Sequence, residues 1–361
     1  MHELIAEFAV YQTPTGDLVG LAAFATVLSD RYRALGGQVR RVARDGGDVI
    51  VVDFEGRGDR RGQSPALLLG HYDTVHPRDA VPVVLGEDIL CGPGVYDMKG
   101  GLVVAETALA VLQELDMAQR PVRLLLTPDE EMGSPSSREV VATEAAGSSY
   151  VLGLEPPHPD GSLKSSRHGS TRVRLSVQGR SSHAALAPNQ GVNAIDELCD
   201  QLRLVREILD DFPEVLVNIG TITGGGLTNV VPASAHADVG LRFPTIDDET
   251  QVLGRLESLS PIRSDAAVAV TILNNRSPWS SSSRSEQLLT DVVHAAGVAG
   301  VHITAAPSAG SADTNLTGAL GIPTLDGFGP IGSGAHAVTE RIQLDSLPDR
   351  VCLLAMVLHL V

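Results

Sequence analysis

Aromatic side chains are scarce: Phe, Tyr and Trp make up 3% of the 361 residues. Recognition of single-stranded nucleic acid leans on stacking against such rings, so this scarcity argues against it. Basic residues are also short, 27 Lys and Arg against 44 Asp and Glu, for a net charge of −17. That balance disfavours phosphate backbones and anionic membrane surfaces as partners. There are three cysteines, Cys91, Cys199 and Cys352, scattered without metal-type spacing. They exclude a thiolate zinc site and a disulfide framework, and they read as reduced thiols of a cytoplasmic protein. No apolar run approaches the length of a membrane span, and the start, Met1–Glu7, lacks the basic-then-apolar pattern of a signal peptide. Internal repeats are missing too. The one low-complexity stretch, Ser280–Ser283, reads as a hinge or linker.

What is present is a set of strand ends carrying acids and histidines. The apolar run Ala66–Leu69 stops at Gly70 and delivers His71 and Asp73. Open α/β sheets place their chemistry at such C-terminal strand ends. The i, i+2 spacing puts both side chains on one side of an extended chain, so the carboxylate can orient the ring. Three further segments behave alike. A glycine-rich turn, Gly92–Gly101, presents Asp97 ahead of a helical pattern at Leu102–Leu115. A hydrophobic strand from Val122 runs into Glu130 and Glu131, and another from Tyr150 ends at Glu155. Near the C-terminus a glycine-rich loop carries Gly334 and His336.

Singly, each has an ordinary explanation: a turn aspartate at 97, a solvated acidic pair at 130 and 131, a loop histidine at 336. Together they do not. Carboxylates at close range cannot all stay ionised without a cation. Mixed imidazole and carboxylate donors suit zinc, or manganese or cobalt. Five candidate ligands exceed one tetrahedral ion but suit two ions about 3.5–4 Å apart if one carboxylate bridges. On an extended segment Glu130 and Glu131 would point in opposite directions, so one could grip a metal while the other reaches a water. The remaining histidines, His2, His76, His158, His168, His236, His294, His302 and His359, have no motif around them and read as structural.

Read in order, GHYDTV, GPGVYDMKGG, TPDEEMGS, GLEPP, SSHAALAPNQGVNA, TNVVPASAHADVGLRF, SAGSADTN and the GAH around His336 resemble the dinuclear zinc exopeptidases and amidohydrolases. That family includes glutamate carboxypeptidase, acetylornithine deacetylase, succinyl-diaminopimelate desuccinylase and the aminoacylases. The resemblance implies an α/β mixed-sheet catalytic domain with an inserted α+β, ferredoxin-like domain that dimerises and closes over the site. It implies two divalent ions per chain, zinc foremost, with His71 and Glu155 on one, Glu131 and His336 on the other, and Asp97 between them. Glu130 would be the general base and Asp73 the partner of His71. His183, reaching into the partner subunit of a homodimer, would polarise the scissile carbonyl. Asn229, Arg242, Arg276 and Gly334 would contact a small peptide or N-acyl amino acid. Within the resemblance, the GPG before Asp97 and Glu rather than Asp at 155 lean towards the glutamate carboxypeptidase and deacylase branches and away from aminopeptidases; a carboxypeptidase is the expectation, with an N-acyl amino acid deacylase as the alternative. A metal-binding protein without activity would lack Glu130 or His183, and a metal-free binding module would lack Asp97 or His336; all four are present.

The length exceeds what single cores usually reach, and 43% hydrophobic residues can fill two. Residues 1–167 read as the first part of the catalytic domain, 168–280 as the insertion and 281–361 as its second part. Within the insertion the pattern is strand (Thr171–Val177), helix (Asn193–Leu209), two strands (Val215–Thr223, Ala235–Phe243), helix (Asp248–Leu259) and strand (Val268–Leu273). That order is a split βαβ unit.

Overall fold

The strand Ala66–His71 is buried at every position and lies between two strands parallel to it, Val122–Thr127 and Tyr150–Gly153. Its alternate side chains enter separate cores. Leu67 and Leu69 join Val49, Val51, Leu125, Val141 and Val151 on one face, while Ala66 and Leu68 join Ile50, Val52, Leu124 and Leu152 on the other. A parallel sheet needs both faces covered, which explains a run of apolar residues without polar alternation.

The computed structural model describes residues 1–361 and resolves into two units, 1–166 with 281–308 and 312–361, and 167–280 with 309–311. The first unit holds a six-stranded mixed sheet ordered Gln38–Val42, Val49–Phe54, Val122–Thr127, Ala66–His71, Tyr150–Gly153, Thr324–Leu325. The strands from Val122–Thr127 onward run parallel, so their C-terminal ends share one edge. His71 pairs in register with Thr127, two residues before Asp129.

The helix after the glycine-rich turn starts earlier than its apolar pattern suggests, at Lys99, and runs to Glu114. Gly100 and Gly101 therefore lie inside its first turn. A Cβ on Gly101 would sit 2.0 Å from the carbonyl oxygen of Leu154, and one on Gly100 would sit 2.3 Å from that of Val95. The glycines let the helix start touch the sheet backbone, a close approach rather than a loose turn. The serine run read as a linker is structured at its end: Ser282 caps the helix Ser283–Val298 by accepting from Ser285 N.

The second unit contains Gly169–Gln178, the helix Ala194–Leu209, Leu216–Gly224, Ser234–Phe243, the helix Ile246–Glu257 and Ala267–Arg276. Its antiparallel sheet is ordered Leu216–Gly224, Ser234–Phe243, Gly169–Gln178, Ala267–Arg276, a split βαβ topology. In Ser234–Phe243 every second residue from Ala235 to Phe243 is buried, against Leu198, Leu202, Val205, Val252 and Leu256 of the helices. Asn193 caps the first helix by accepting from Ile195 N and Asp196 N. The second starts two residues ahead of its apolar pattern because Thr245 caps it, accepting from Asp248 N. No helix is long and apolar enough to cross a membrane.

The contact at Gly101 is with backbone, which cannot rotate away. Gly101→Ala is expected to cost about 1–3 kcal/mol in a denaturant titration of the protein, as overpacking does. Unchanged stability would mean that this helix start can shift.

Candidate metal centre

His71 stands at the end of its strand with 1% of its side chain exposed. Its Nδ1 lies 3.1 Å from the Asp73 carbonyl oxygen and 3.3 Å from Asp73 Oδ1. Its Nε2 lies 3.2 Å from Asp97 Oδ1 and 3.6 Å from Glu155 Oε1. On the other side, His336 Nε2 lies 3.4 Å from Asp97 Oδ2 and 3.1 Å from Glu131 Oε2. The two oxygens of Asp97 thus face two different imidazoles. Donor atoms of His71, Asp97 and Glu131 fall within 4.8 Å of one another, and so do those of His71, Glu130 and Glu155.

This arrangement fits divalent cations on its own chemistry. Glu131 Oε1 is buried and has no hydrogen-bond partner, a costly state for a carboxylate oxygen unless a cation meets it. The donor set is imidazole and carboxylate with no thiolate, the mixture that zinc, manganese and cobalt accept.

Electrostatics record the crowding. Burial works to raise the Asp97 carboxyl, but hydrogen bonds to His336 and His71 hold it far below the usual range. Glu131 moves the opposite way, raised by burial against the pull of His336 and further raised by the Asp97 charge. Burial opposes a charged ring at His71, yet Asp73 and Asp97 keep its pKa well above 6.5. At His336 hydrogen bonds to Asp97 and then Glu131 raise the pKa to about 10.

The supports are specific. Asp73 is fully buried; its Oδ1 accepts from Glu130 N at 3.2 Å. Its Oδ2 accepts from Glu131 N at 3.2 Å and from Thr15 Oγ1 at 2.7 Å. It therefore orients the ring and also anchors the backbone of both glutamates. Those glutamates do not occupy an extended segment, contrary to the premise drawn from the sequence. They open a 3-10 turn, Glu130–Met132, held by Asp129, which accepts from Ser136 N at 2.8 Å and Ser136 Oγ at 2.6 Å. A turn with three residues per revolution still separates adjacent side chains by about 120°. Glu130 turns towards His71 and Glu155, and Glu131 towards Asp97 and His336.

His336 has φ +63°, in the left-handed region that His enters more readily than most residues, and its side chain is 56% exposed. Gly334, read from the sequence as a substrate contact, has φ +82°, and a Cβ there would meet Thr339 O at 2.9 Å. The turn that delivers His336 requires this glycine.

The remaining expected residues belong to the second unit. His183 is exposed, and its Nδ1 accepts from Ala185 N at 3.2 Å and Leu186 N at 3.1 Å. The proton of the neutral ring then resides on Nε2. Ala184 N donates to Asn229 O at 2.9 Å, so the His183 and Asn229 segments are joined. Arg242 and Arg276 both pair with Ser170 of the strand between them, which puts them in one row on one sheet face. Arg242 Nη1 is buried without a partner, and burial followed by the nearby Arg276 charge lowers the Arg242 pKa. Two guanidinium groups side by side make a site for an anion.

Three residues that the sequence did not single out also hold the centre: Thr15, His76 and Glu340. Glu340 follows His336 by four residues, and His76 follows His71 by five, which is the only sequence signal either one carries.

Residues 67–359 match the sequence pattern of peptidase family M20/M25/M40. The chain belongs to that family. It is a metal-dependent hydrolase of amide bonds. It is 29% identical over 359 residues to carboxypeptidase G2 of Pseudomonas sp. (strain RS-16), covering 95% of this chain and 85% of that one. It is 28% identical over 352 residues to a succinyl-diaminopimelate desuccinylase of Alkalilimnicola ehrlichii, covering 89% of each. Among solved structures, a tripeptidase of Staphylococcus aureus superposes with a TM-score of 0.81 at 18% identity over 99% of this chain and 96% of that one. An M20 metallo-carboxypeptidase of Sulfolobus solfataricus gives 0.76 at 16% identity, over 99% and 98%.

Carboxylate partners raise the pKa of His71, against its burial, and of His336 in the metal-free protein. Metal ligation requires neutral rings, so metal binding at His71 and His336 should release protons at pH 7. The affinity should fall as pH drops, because protons compete for the rings. Conversely, the stabilisation that the His336 ion pairs give the metal-free protein is fully present below pH 6.5 and lost as pH rises through about 10. It is small, since the ring is half exposed. Calorimetry in buffers of different ionisation enthalpy counts the protons, and zero release would contradict the raised pKa values.

Proposed function

We propose that this chain binds two divalent ions, zinc foremost, and hydrolyses an amide bond to release an amino acid with a free α-carboxylate. The observation that carries the reading is Asp97, whose Oδ1 and Oδ2 face His71 and His336 separately. One ion would be held by His71, Glu155 and Asp97, the other by Asp97, Glu131 and His336. Bound there, the ions supply a Lewis acid and depress the pKa of water.

The residues of the chain supply the rest. Glu130 takes a proton from the attacking water and passes it to the leaving nitrogen as the C–N bond breaks. Its neighbourhood with His71 and Glu155 also fits a metal ligand. Glu131, with its unpartnered buried oxygen, is the better ligand of the two, which leaves Glu130 for the proton. His183, with its Nε2 proton free to donate, stabilises the oxyanion, and we infer that it does so across a homodimer. Arg242 and Arg276 hold carboxylates of the released amino acid, with Asn229 beside His183. The three free thiols suit a cytoplasmic setting. The likeness to a desuccinylase supports a second reading, an N-acyl amino acid deacylase. The bond and the machinery are the same; only the acyl pocket differs.

A screen of dipeptides and N-acyl amino acids with zinc-, cobalt- or manganese-loaded protein, repeated after chelation, tests the reading. Full activity with no bound metal would end it. Glu130→Gln should keep both ions by elemental analysis yet lower kcat by about 10²–10⁴. Wild-type turnover in that variant removes Glu130 as the base. His183→Ala should be inactive with its metal retained, and mixing it with Glu130→Gln under conditions of subunit exchange should recover part of the activity. Absence of recovery despite proven exchange refutes the shared site. Arg276→Ala should lower kcat/KM on N-acyl-glutamate by more than roughly tenfold, about 2 kcal/mol for a lost charge pair, and spare N-acyl-alanine. An equal loss on both substrates removes acidic-residue selectivity but leaves the hydrolase.

A further inference from the structure

Glu340 is 1% exposed, and its carboxylate is saturated. Its Oε1 accepts from Tyr96 N and Asp97 N, both at 2.9 Å. Its Oε2 accepts from Gly94 N at 3.0 Å and from His76 Nε2 at 2.7 Å. A carboxylate offers about four acceptor directions, and all four are taken, so Glu340 is not itself a metal ligand. Three backbone donors of one short turn, Gly94 N, Tyr96 N and Asp97 N, surround one buried anion, with Gly94 at φ +75° shaping the turn, and His76 supplies the charge-assisted fourth contact. His76 is buried too, and its Nε2 must carry the proton to donate.

What this carboxylate binds is the peptide nitrogen of Asp97, the residue whose two oxygens face the two histidines. Glu340 also sits on the His336 loop, tied to it through its own N–H to Ala337 O, and its carbonyl receives Gly92 N. One side chain therefore joins the loop that carries the bridging aspartate to the loop that carries a histidine of the second ion pair.

We propose that Glu340, with His76, is a positioning residue that sets the geometry of the Asp97 bridge relative to His336. The inference rests on the two-ion reading of the site. Glu340→Gln puts an amide NH2 against backbone N–H groups, and its effect should fall on the ion shared by Asp97, Glu131 and His336. Metal titration of the metal-free variant should give a weaker-site affinity reduced about 10- to 100-fold, the range typical for groups that orient ligands, with the tighter site changed less. Kinetics at saturating metal should lower kcat with KM within about threefold of wild type, because the carboxylate-binding arginines are untouched. A role confined to stability would lower Tm without separating the two sites. His76→Gln and His76→Phe provide the second arm. The glutamine keeps an N–H donor for Glu340 and should retain most of the second-site affinity, whereas the phenylalanine should lose it. Amide hydrogen exchange at Gly94, Tyr96 and Asp97 should quicken in Glu340→Gln and His76→Phe even without metal. If wild-type protein binds two ions and the variants bind both equally well, the positioning role is overturned while the hydrolase reading stands. If wild-type protein binds one ion, the two-ion reading and this inference fall together.

Discussion

Asp97, Glu130, Glu131 and Glu155 converge on the space between His71 and His336, and like charges at that range repel strongly. Much of the first unit answers to this constraint. Without ions the surrounding carboxylates pull both imidazoles to raised pKa values, and the same contacts hold Asp97 far below the usual carboxylate range. The metal-free site is a set of ion pairs waiting to exchange protons for metal. Its acidity is a property of the assembly, and no single carboxylate in it has an ordinary environment.

Holding such a cluster open needs rigid supports, and they come from the backbone. Parallel strands in register bring His71, Glu155 and the Glu130–Met132 turn to one sheet edge. Asp73 then ties the histidine strand to the backbone of both glutamates, and Glu340 ties the Asp97 turn to the His336 loop. Each of these buried acids spends its oxygens on protein donors, backbone N–H groups with the Thr15 hydroxyl at Asp73 and the His76 ring at Glu340. An inner group of carboxylates faces the two imidazoles, while an outer group is held largely by amides.

The sequence disclosed the inner group well because its members terminate hydrophobic runs or sit between glycines, both local signals. It disclosed the fold for the same reason: the alternation in Ser234–Phe243 and the unbroken run of Ala66–Leu69 state how many faces of each strand are buried. The outer group was less legible. His76 and Glu340 are 264 positions apart and meet only in the fold, and neither interrupts a pattern. Asp73 was legible as a partner of His71, but its grip on Glu130 N and Glu131 N was not, since a backbone donor has no letter of its own. The 3-10 turn was missed because two adjacent glutamates have no period. The early helix start at Lys99 was missed because Gly100 and Gly101 favour turns until their packing against Val95 and Leu154 is known.

The long segment of the second unit, 167–280, is clasped near its two ends: Arg167 and Trp279 exchange backbone hydrogen bonds of 2.9 and 3.0 Å, and Trp279 is buried. The two ends of this segment therefore lie side by side. Closing a loop costs entropy that grows only with the logarithm of its length, and an excursion that folds on itself with its ends already clasped presents the rest of the chain with a short closed link. The strands before the excursion and the helix after it can therefore find each other as if the intervening residues were a turn.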